Sequence, residues 1–253
     1  DITPPLGYGM SGYYHERGAD GQRDPLQAKA VVFRQGAATA ALVLCDLIGI
    51  VADLADEVRR RASEKTGIPA SAIAVAATHS HTGPQYAADM RRWLEQGRPA
   101  EGYIPKLVDG ITGALIDAHA ALGPRSLDFV LARQEPEVSF NRRFVMKDGS
   151  IKTWANYGDP NVVRAAGPID PEISVILVRD PAAQRDVAGL INFPLHLDTL
   201  SGTKWSADFP HDIGESLKQE LGPDFLTIFA NGCCGDINHS NPRAKERNKR
   251  DFI

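Results

Sequence analysis

Two histidines separated by one residue are the first feature of the sequence that indicates chemistry. His79 and His81 lie in the stretch ATHSHTGP (77–84), directly after the apolar run IAVAAT (73–78), which has the composition of a buried β-strand. Residues i and i+2 of an extended chain point to the same side, so the two imidazoles are predicted to project together beyond the strand. Neutral imidazole is a good ligand for zinc and related metals. The pair therefore predicts a metal site, with an ordinary hydrogen-bonded pair as the alternative.

A third histidine follows another apolar run in the same way. The run VAGLINF (187–193) predicts a strand, and His196 comes shortly after it, with the carboxylate of Asp198 two residues further on. Asp198 can orient His196 or bind a metal itself, although a helix-capping Asp beside a buried His explains the same residues. Combined with His79 and His81, His196 suggests a site of three histidines. Because Zn–N bonds are about 2 Å long, this hypothesis fails if the side chains lie more than about 10 Å apart.

Small and polar residues follow a third apolar run near the end of the chain. The run FLTIFA (225–230) predicts a strand and continues into NGCCGDINH (231–239). Glycines allow the backbone to approach a ligand closely, which leaves Asp236, Asn238 and His239 available at the rim of a site. A nucleophilic thiol would need a lowered pKa and an orienting base, and neither is visible in the sequence. Tight packing in a turn is the simpler role for the two adjacent cysteines.

The apolar runs and helical patterns supply the elements that must position these side chains. Strands are predicted at 30–34, 41–50, 73–78, 126–133, 173–179, 187–193 and 225–230. Helices are predicted at 51–66, 87–94, 103–122 and 208–221. The first helix is followed by Gly67, a residue type that commonly caps a helix. The mixture predicts an α/β fold, a layered sandwich of mixed β-sheets flanked by helices, in one domain over 1–253.

Composition and missing motifs exclude several other classes of protein. The chain of 253 residues has 28 basic and 32 acidic side chains, a net charge of −4 that argues against nucleic-acid binding. No stretch approaches the roughly 20 apolar residues of a membrane-spanning helix. Neither a Gly-x-Ser-x-Gly elbow nor a glycine-rich phosphate loop is present, which excludes serine α/β-hydrolase and nucleotide chemistry. The basic run 243–250 can contact anionic lipid or nucleic acid, but a solvated helix surface is the more common explanation of such a run.

A barrel of the amidohydrolase type also uses a His-x-His pair. In such a barrel the pair ends the first strand, close to the start of the chain. At least two predicted strands precede His79, and 253 residues barely fill a barrel. The sequence therefore favours the layered sandwich over the barrel.

Together, the motifs resemble the neutral/alkaline (non-lysosomal) ceramidase family over most of the chain. The stretches that carry the resemblance are DITP (1–4), MSGY (10–13), HSHTGP (79–84), FNR (140–142) and GD (235–236). The third is similar to the family's His-Thr-His-Ser-Gly-Pro signature, and the last resembles its Gly-Asp-x-Ser loop. His196 falls where the family's second zinc histidine is expected.

The resemblance implies a zinc-dependent hydrolase of linear amides, which cleaves the amide bond of ceramide or a related N-acyl lipid. In such a site zinc lowers the pKa of its bound water to about 7, and fixed polar groups stabilise the tetrahedral intermediate. The resemblance places His81 and Arg142 beside the substrate, where they stabilise the developing oxyanion. The full expected set is His79 and His196 as zinc ligands, His81, Arg142 and Asp236 as catalytic groups, and Asn238 and Asp198 as substrate-binding groups.

The resemblance also sets expectations for the protein as a whole. The family completes its zinc shell with a Glu and a Tyr from a later part of the chain, so we expect a catalytic domain that is incomplete at its C-terminal end. Secretion or export to the periplasm, a lipid-like small-molecule substrate and peripheral contact with a membrane are implied as well. Two alternatives stay open: a metal-dependent hydrolase of a different amide or ester, and a non-catalytic binding domain whose histidines only pack.

Overall fold

The computed structural model describes residues 1–86, 102–156 and 158–241, which form mixed β-sheets with flanking helices. The helices are α1 (Ala52–Thr66), α2 (Tyr103–Ala120) and α3 (Phe209–Leu221). The strands are β1 (Gly21–Gln22), β2 (Ala28–Gln35), β3 (Ala38–Cys45), β4 (Ile73–Ala77), β5 (Ser126–Arg133), β6 (Phe140–Asn141), β7 (Arg143–Met146), β8 (Ile151–Thr153), β9 (Val162–Ala165), β10 (Glu172–Asp180), β11 (Arg185–Phe193), β12 (Lys204–Trp205), β13 (Leu226–Asn231) and β14 (Ile237–Asn238). The predicted α/β fold, a layered sandwich of mixed sheets flanked by helices, is confirmed.

The first sheet has the strand order β2-β3-β4 and packs against α1 and α2. β2 and β3 form an antiparallel hairpin, and β4 runs parallel to β3 after the α1 crossover. The shared apolar core includes Val43, Val58, Ile73, Ile111 and Leu115. The helix α1 ends as predicted, because Gly67 adopts a left-handed φ of 75° and donates its N–H to the carbonyl of Ser63. The packing of this sheet against α1 and α2 therefore fixes the end of β4, which leads to His79 and His81.

The second sheet has the strand order β13-β11-β10-β5 and packs against α3. β11 and β13 are parallel, whereas β10 is antiparallel to both of its neighbours. A second apolar core joins them and includes Ile191, Phe193, Phe209, Ile213 and Phe229. Since β11 and β13 are parallel, their carboxyl ends lie at the same edge of the sheet. The side chain of Asn231 at that edge donates to the carbonyl of Thr78, so the end of β4 in the first sheet lies beside it.

The structure differs from the prediction in the ends and number of the strands. A strand is predicted over 41–50, but β3 ends at Cys45, after which Leu47 turns its carbonyl toward the N–H groups of His79 and Ser80. No strand is predicted between 134 and 172, yet β6 to β9 lie there. These strands have only two to four residues, too few for an apolar run to show in the sequence.

Two predicted features lie outside the described residues, namely the helix at 87–94 and the basic run at 243–250. Among the helices that the structure does describe, none combines the length and the apolar character that crossing a bilayer requires.

Candidate metal centre

Three histidines, in loops that follow strands of two different sheets, lie close together. Their ring centroids are 4.9 Å apart for His79 and His81, 4.7 Å for His79 and His196, and 4.8 Å for His81 and His196. One ring nitrogen of each lies within 4.8 Å of the others. The convergence that the three-histidine hypothesis requires is therefore present.

The first two histidines converge for a reason that differs from the prediction. The strand β4 ends at Ala77, and His79 has a φ of 76°, in the left-handed region that non-glycine residues rarely adopt. The pair therefore projects from a turned loop rather than from an extended strand. The loop is held because Leu47 O accepts from the N–H groups of His79 and Ser80, at 3.0 and 3.1 Å. Backbone strain of this kind is found preferentially at functional sites.

Backbone carbonyls fix which ring nitrogen of His79 and His196 carries the proton. Nδ1 of His79 lies 2.7 Å from Ile48 O, and Nδ1 of His196 lies 3.2 Å from Cys234 O. A carbonyl oxygen can only accept, so Nδ1 is the donor whenever either ring is in its neutral form. The lone pair of each ring is then on Nε2. This arrangement is typical of metal-ligating histidines, whose other nitrogen donates to a backbone carbonyl or a carboxylate.

Burial keeps the imidazole rings of His81 and His196 neutral. It lowers the pKa of His81 to about 3, helped by the neighbouring His196 and His79, while a backbone hydrogen bond to Gly12 opposes the shift. It also lowers the pKa of His196 to about 4, helped by the positive charge of Arg142. Both rings are therefore unprotonated at neutral pH. Metal binding needs unprotonated imidazole, so neither ring has to lose a proton first.

The donor set fits a metal ion. One ring nitrogen from each of His79, His81 and His196 lies within 4.8 Å of the others, so small shifts bring two of them to the roughly 2.0–2.1 Å at which zinc binds nitrogen. Nε2 of His81 lies 3.3 Å from Nε2 of His79, so His81 stands directly beside that ligand atom. Imidazole is a preferred ligand for zinc and related metals. The group can therefore hold a metal ion.

Arg142 and Asp236 lie beside each other, directly after β6 and directly before β14. The Arg142 guanidinium donates to Gly235 O at 2.8 Å and lies 4.9 Å from the centre of the Trp154 ring. The Asp236 carboxylate accepts from the Asn141 amide at 2.8 Å, and its backbone carbonyl accepts from Arg142 N–H at 2.7 Å. The structure thus brings Arg142 near the histidines, where its positive charge lowers the pKa of His196. It places the Asp236 carboxylate in a hydrogen bond with Asn141.

The two residues predicted to bind substrate have different surroundings. Asn238 is buried; its Oδ1 accepts from Ser240 N–H, whereas its Nδ2 has no hydrogen-bond partner among the described residues. Asp198 accepts a hydrogen bond from the hydroxyl of Tyr13, whose ring lies 5.9 Å from that of His81. Among the described residues, Asn238 therefore keeps one buried side-chain donor without a partner.

Arg17 is a residue at the site that the sequence analysis does not identify. Its buried guanidinium donates to Ser11 O at 2.5 Å, His81 O at 2.6 Å and Gly202 O at 2.8 Å. It thereby ties the N-terminal segment to the loop of His81 and to the segment that leads from His196 to β12. It also stacks over Tyr13, with 4.0 Å between the guanidinium carbon and the ring centre. No local pattern marks this arginine, because its three acceptors are backbone carbonyls and two of them are distant in sequence.

A buried polar network lies beneath the His-x-His stretch. The hydroxyls of Ser80 and Thr82 both donate to Ser206 O, at 2.8 and 2.7 Å. The hydroxyl of Ser206 in turn donates to the carboxylate of Asp24. Close packing on the other side requires Gly12, which has a φ of 103° and on which a Cβ would lie 2.7 Å from the His81 side chain. The small polar residues around the histidines thus serve to hold the loop.

Comparison with solved structures gives a clear result for the fold. The chain matches the neutral ceramidase of Pseudomonas aeruginosa with a TM-score of 0.77 and 23% identity over 95% of its length. The chain has the fold of a neutral ceramidase. A ceramidase complexed with C2 matches this ceramidase-like domain with a TM-score of 0.73 and 22% identity, again over 95% of its length. No protein-family model and no curated protein matches the chain.

The resemblance inferred from the sequence is thus confirmed at the level of the ceramidase fold. The chain spans 38% of the Pseudomonas aeruginosa protein and 37% of the second ceramidase.

Proposed function

We propose that this ceramidase-like domain is part of a zinc-dependent hydrolase that cleaves the amide bond of ceramide or a related N-acyl lipid. The observation that carries the proposal is the convergence of three imidazoles, two of which burial keeps neutral, in a neutral ceramidase fold. A domain whose histidines only packed would not need their nitrogens to converge. The names of the two similar structures supply the substrate class.

His79 and His196 are the zinc ligands in this proposal. Each has its Nδ1 proton held by a backbone carbonyl, so each presents the Nε2 lone pair. A zinc ion bound there supplies Lewis-acid chemistry, which polarises a carbonyl oxygen and makes water a nucleophile near neutral pH. His81 stands beside the two ligands and faces the substrate carbonyl.

Polar groups around the histidines act on the substrate. Arg142 supplies the positive charge that stabilises the developing oxyanion, and Asp236 supports it by holding the adjacent Asn141 and the Arg142 backbone. The free Nδ2 of Asn238 donates to the substrate. Asp198, which the hydroxyl of Tyr13 orients, accepts a hydrogen bond from the substrate. A buried donor without a partner is costly, which supports a ligand as the partner of Asn238.

The proposal extends to the setting in which the enzyme acts. We infer a lipid-like small-molecule substrate, peripheral contact with a membrane and secretion or export to the periplasm, on the basis of the resemblance to the ceramidase family. A net charge of −4 supports the absence of nucleic acid among its partners.

A hydrolase of a different amide or an ester is the second candidate. Asn238 favours it, because this residue stands where the family's Gly-Asp-x-Ser loop has a serine. A panel of substrates separates the two candidates: ceramide against shorter N-acyl amides and the matching esters. Hydrolysis of the esters or short amides without hydrolysis of ceramide would support the second candidate.

Elemental analysis of the purified chain tests the metal. We expect close to one zinc per chain, with loss of both the metal and amidase activity in His79→Ala and in His196→Ala. His119→Ala, on the far helix α2, is the matched control and keeps the metal. If His81 faces the substrate, His81→Ala loses activity but retains most of the zinc. Absence of zinc both from this chain, even when dialysed against it, and from a longer chain that includes the later Glu and Tyr would contradict the proposal.

A further inference from the structure

Asn231 stands where the two histidine-bearing parts of the fold meet. It is the last residue of β13, and in the sheet it pairs with Phe193, the last residue of β11. The chain after β11 leads to His196. The end of β4, which leads to His79, lies on the other side of Asn231, because the Asn231 side chain reaches the carbonyl of Thr78.

The side-chain amide of Asn231 contacts each of the segments that hold the two proposed ligands. Its Nδ2 donates to Thr78 O at 3.0 Å, and Thr78 directly precedes His79. Its Oδ1 accepts from Leu195 N–H at 3.3 Å, and Leu195 directly precedes His196. It also lies near the side chain of Cys234, whose carbonyl accepts from Nδ1 of His196.

We propose that Asn231 is a positioning residue, whose amide sets the distance between His79 and His196 and so tunes the affinity of the site for its metal. The inference rests on the proposed metal centre. An amide suits the task because it offers a donor and an acceptor at once. Thr78 presents a carbonyl and Leu195 an N–H, so an isosteric Asp lacks the donor and an isosteric Leu lacks both groups.

Other contacts join the same loops, which keeps the expected effect within a measurable range. His81 N–H donates to Leu197 O at 3.0 Å, and Arg17 links His81 O to Gly202 O. Without the Asn231 amide, the distance between His79 and His196 is therefore less well fixed, but the loops still stay together. Residues that orient metal ligands from behind typically contribute 10–100-fold to metal affinity.

The test measures metal affinity and the spectrum of the bound metal, rather than activity. The purified chain is stripped of metal and titrated with Zn²⁺, and with Co²⁺ to record the visible absorption bands of the ligand field. Asn231→Ala is expected to weaken binding of both metals by about 10–100-fold and to alter the Co²⁺ bands.

Asn192→Ala is the matched control. Asn192 is an asparagine on the neighbouring strand β11, and its amide donates to Ala230 O at 2.9 Å. In the described part of the chain, no side-chain hydrogen bond joins it to either histidine loop. Its loss removes a similar hydrogen bond from the same sheet. Metal affinity in this variant should stay within about twofold of the wild type, even where the melting temperature falls as much as in Asn231→Ala.

Asn231→Asp is the second test variant, to be used if Asn231→Ala does not fold. It retains the shape and the acceptor for Leu195 but faces Thr78 O with a second acceptor. We expect weaker metal binding, although an added negative charge alone would strengthen it. If the wild type binds metal and the Asn231 variants bind it equally well with unchanged bands, the positioning role is overturned and the proposed centre stands. If neither the wild type nor the longer chain binds metal, both are overturned.

Discussion

The two loops that carry the histidines differ in how far their own side chains hold them. In the first histidine loop (78–84) the hydroxyls of Ser80 and Thr82 both donate to Ser206 O, in addition to the backbone hydrogen bonds to Leu47 O. The second histidine loop (194–200) is anchored by side chains from elsewhere, which accept from its backbone N–H groups: the Asp208 carboxylate and the Asn231 amide.

This difference shows why one loop is a recognisable motif and the other is not. Where the anchors belong to the loop itself, they appear in the sequence beside the histidines. Where they come from distant residues, the only local signal is a histidine after a strand. The following changes test how far each loop depends on its own kind of anchor.

Removal of Asp208 should have the largest effect on stability. The buried carboxylate caps α3 through Phe209 N–H at 2.7 Å and accepts from the N–H groups of Thr199 and Leu200 at 3.1 and 3.0 Å. Asp208→Ala removes a helix cap, worth about 1 kcal/mol, and leaves two buried donors unpaired at about 1–3 kcal/mol each. We expect urea unfolding to show a loss of about 4 kcal/mol.

Asp212→Ala provides the control for that measurement. Asp212 lies in the first turn of the same helix but pairs on the surface with Arg23. Exposed pairs contribute about 0–1 kcal/mol, so the loss should stay in that range. Equal losses in Asp208→Ala and Asp212→Ala would show that the second loop does not depend on the Asp208 anchor.

Asp46 makes the support of the first histidine loop sensitive to pH. It is buried beneath the loop, where it accepts from Thr78 Oγ1 and Gln27 N–H, and burial raises its pKa to about 6 while the nearby Lys29 opposes the shift. The folded state therefore holds this proton more tightly than the unfolded state, whose carboxyl titrates near pH 4. The free energy of unfolding should fall as the pH rises from about 4 to 6, by up to about 3 kcal/mol, and should not change further above that.

Asp46→Asn removes this titration. The difference in free energy of unfolding between the variant and the wild type, measured at pH 4, 5, 6 and 7, should shift in favour of the variant as the pH rises. A difference that stays constant over this pH range would contradict a buried Asp46 carboxyl with a raised pKa.

The smallest effects are expected from the hydroxyls of the first loop. Ser80→Ala and Thr82→Val each leave Ser206 O with one of its two donors, so each should cost about 1 kcal/mol. The double variant leaves that buried carbonyl without either hydroxyl and should lose more than the sum of the two. Thermal unfolding of the four proteins measures this coupling, and strict additivity would show that the two hydroxyls act separately.

Much of the fold could be predicted because long elements have periodic apolar patterns. The strand at 126–133 has the predicted bounds, and α3 begins one residue after the predicted start. The same holds for the three histidines, each of which follows an apolar run. The predicted geometry of the first pair was wrong in detail, because the left-handed φ of His79 depends on hydrogen bonds to Leu47, a residue distant in sequence.

The residues that sequence reasoning missed act through the backbone of other segments. Arg17 and Asn231 bind carbonyl and N–H groups, which every residue has, so no residue type at a fixed spacing marks their partners. The short strands β6 to β9 escaped for a different reason, since a strand of two to four residues is too short to show periodicity.

The bond between Arg17 and Gly202 has a consequence for folding. These residues are 185 positions apart in the chain, as are Tyr13 and Asp198. Closing so long a loop has an entropic cost that must be met before the contact is made, and contacts of this separation slow folding. During synthesis, the N-terminal segment must also wait until residues beyond 200 have left the ribosome. The three histidines are therefore brought together late in folding.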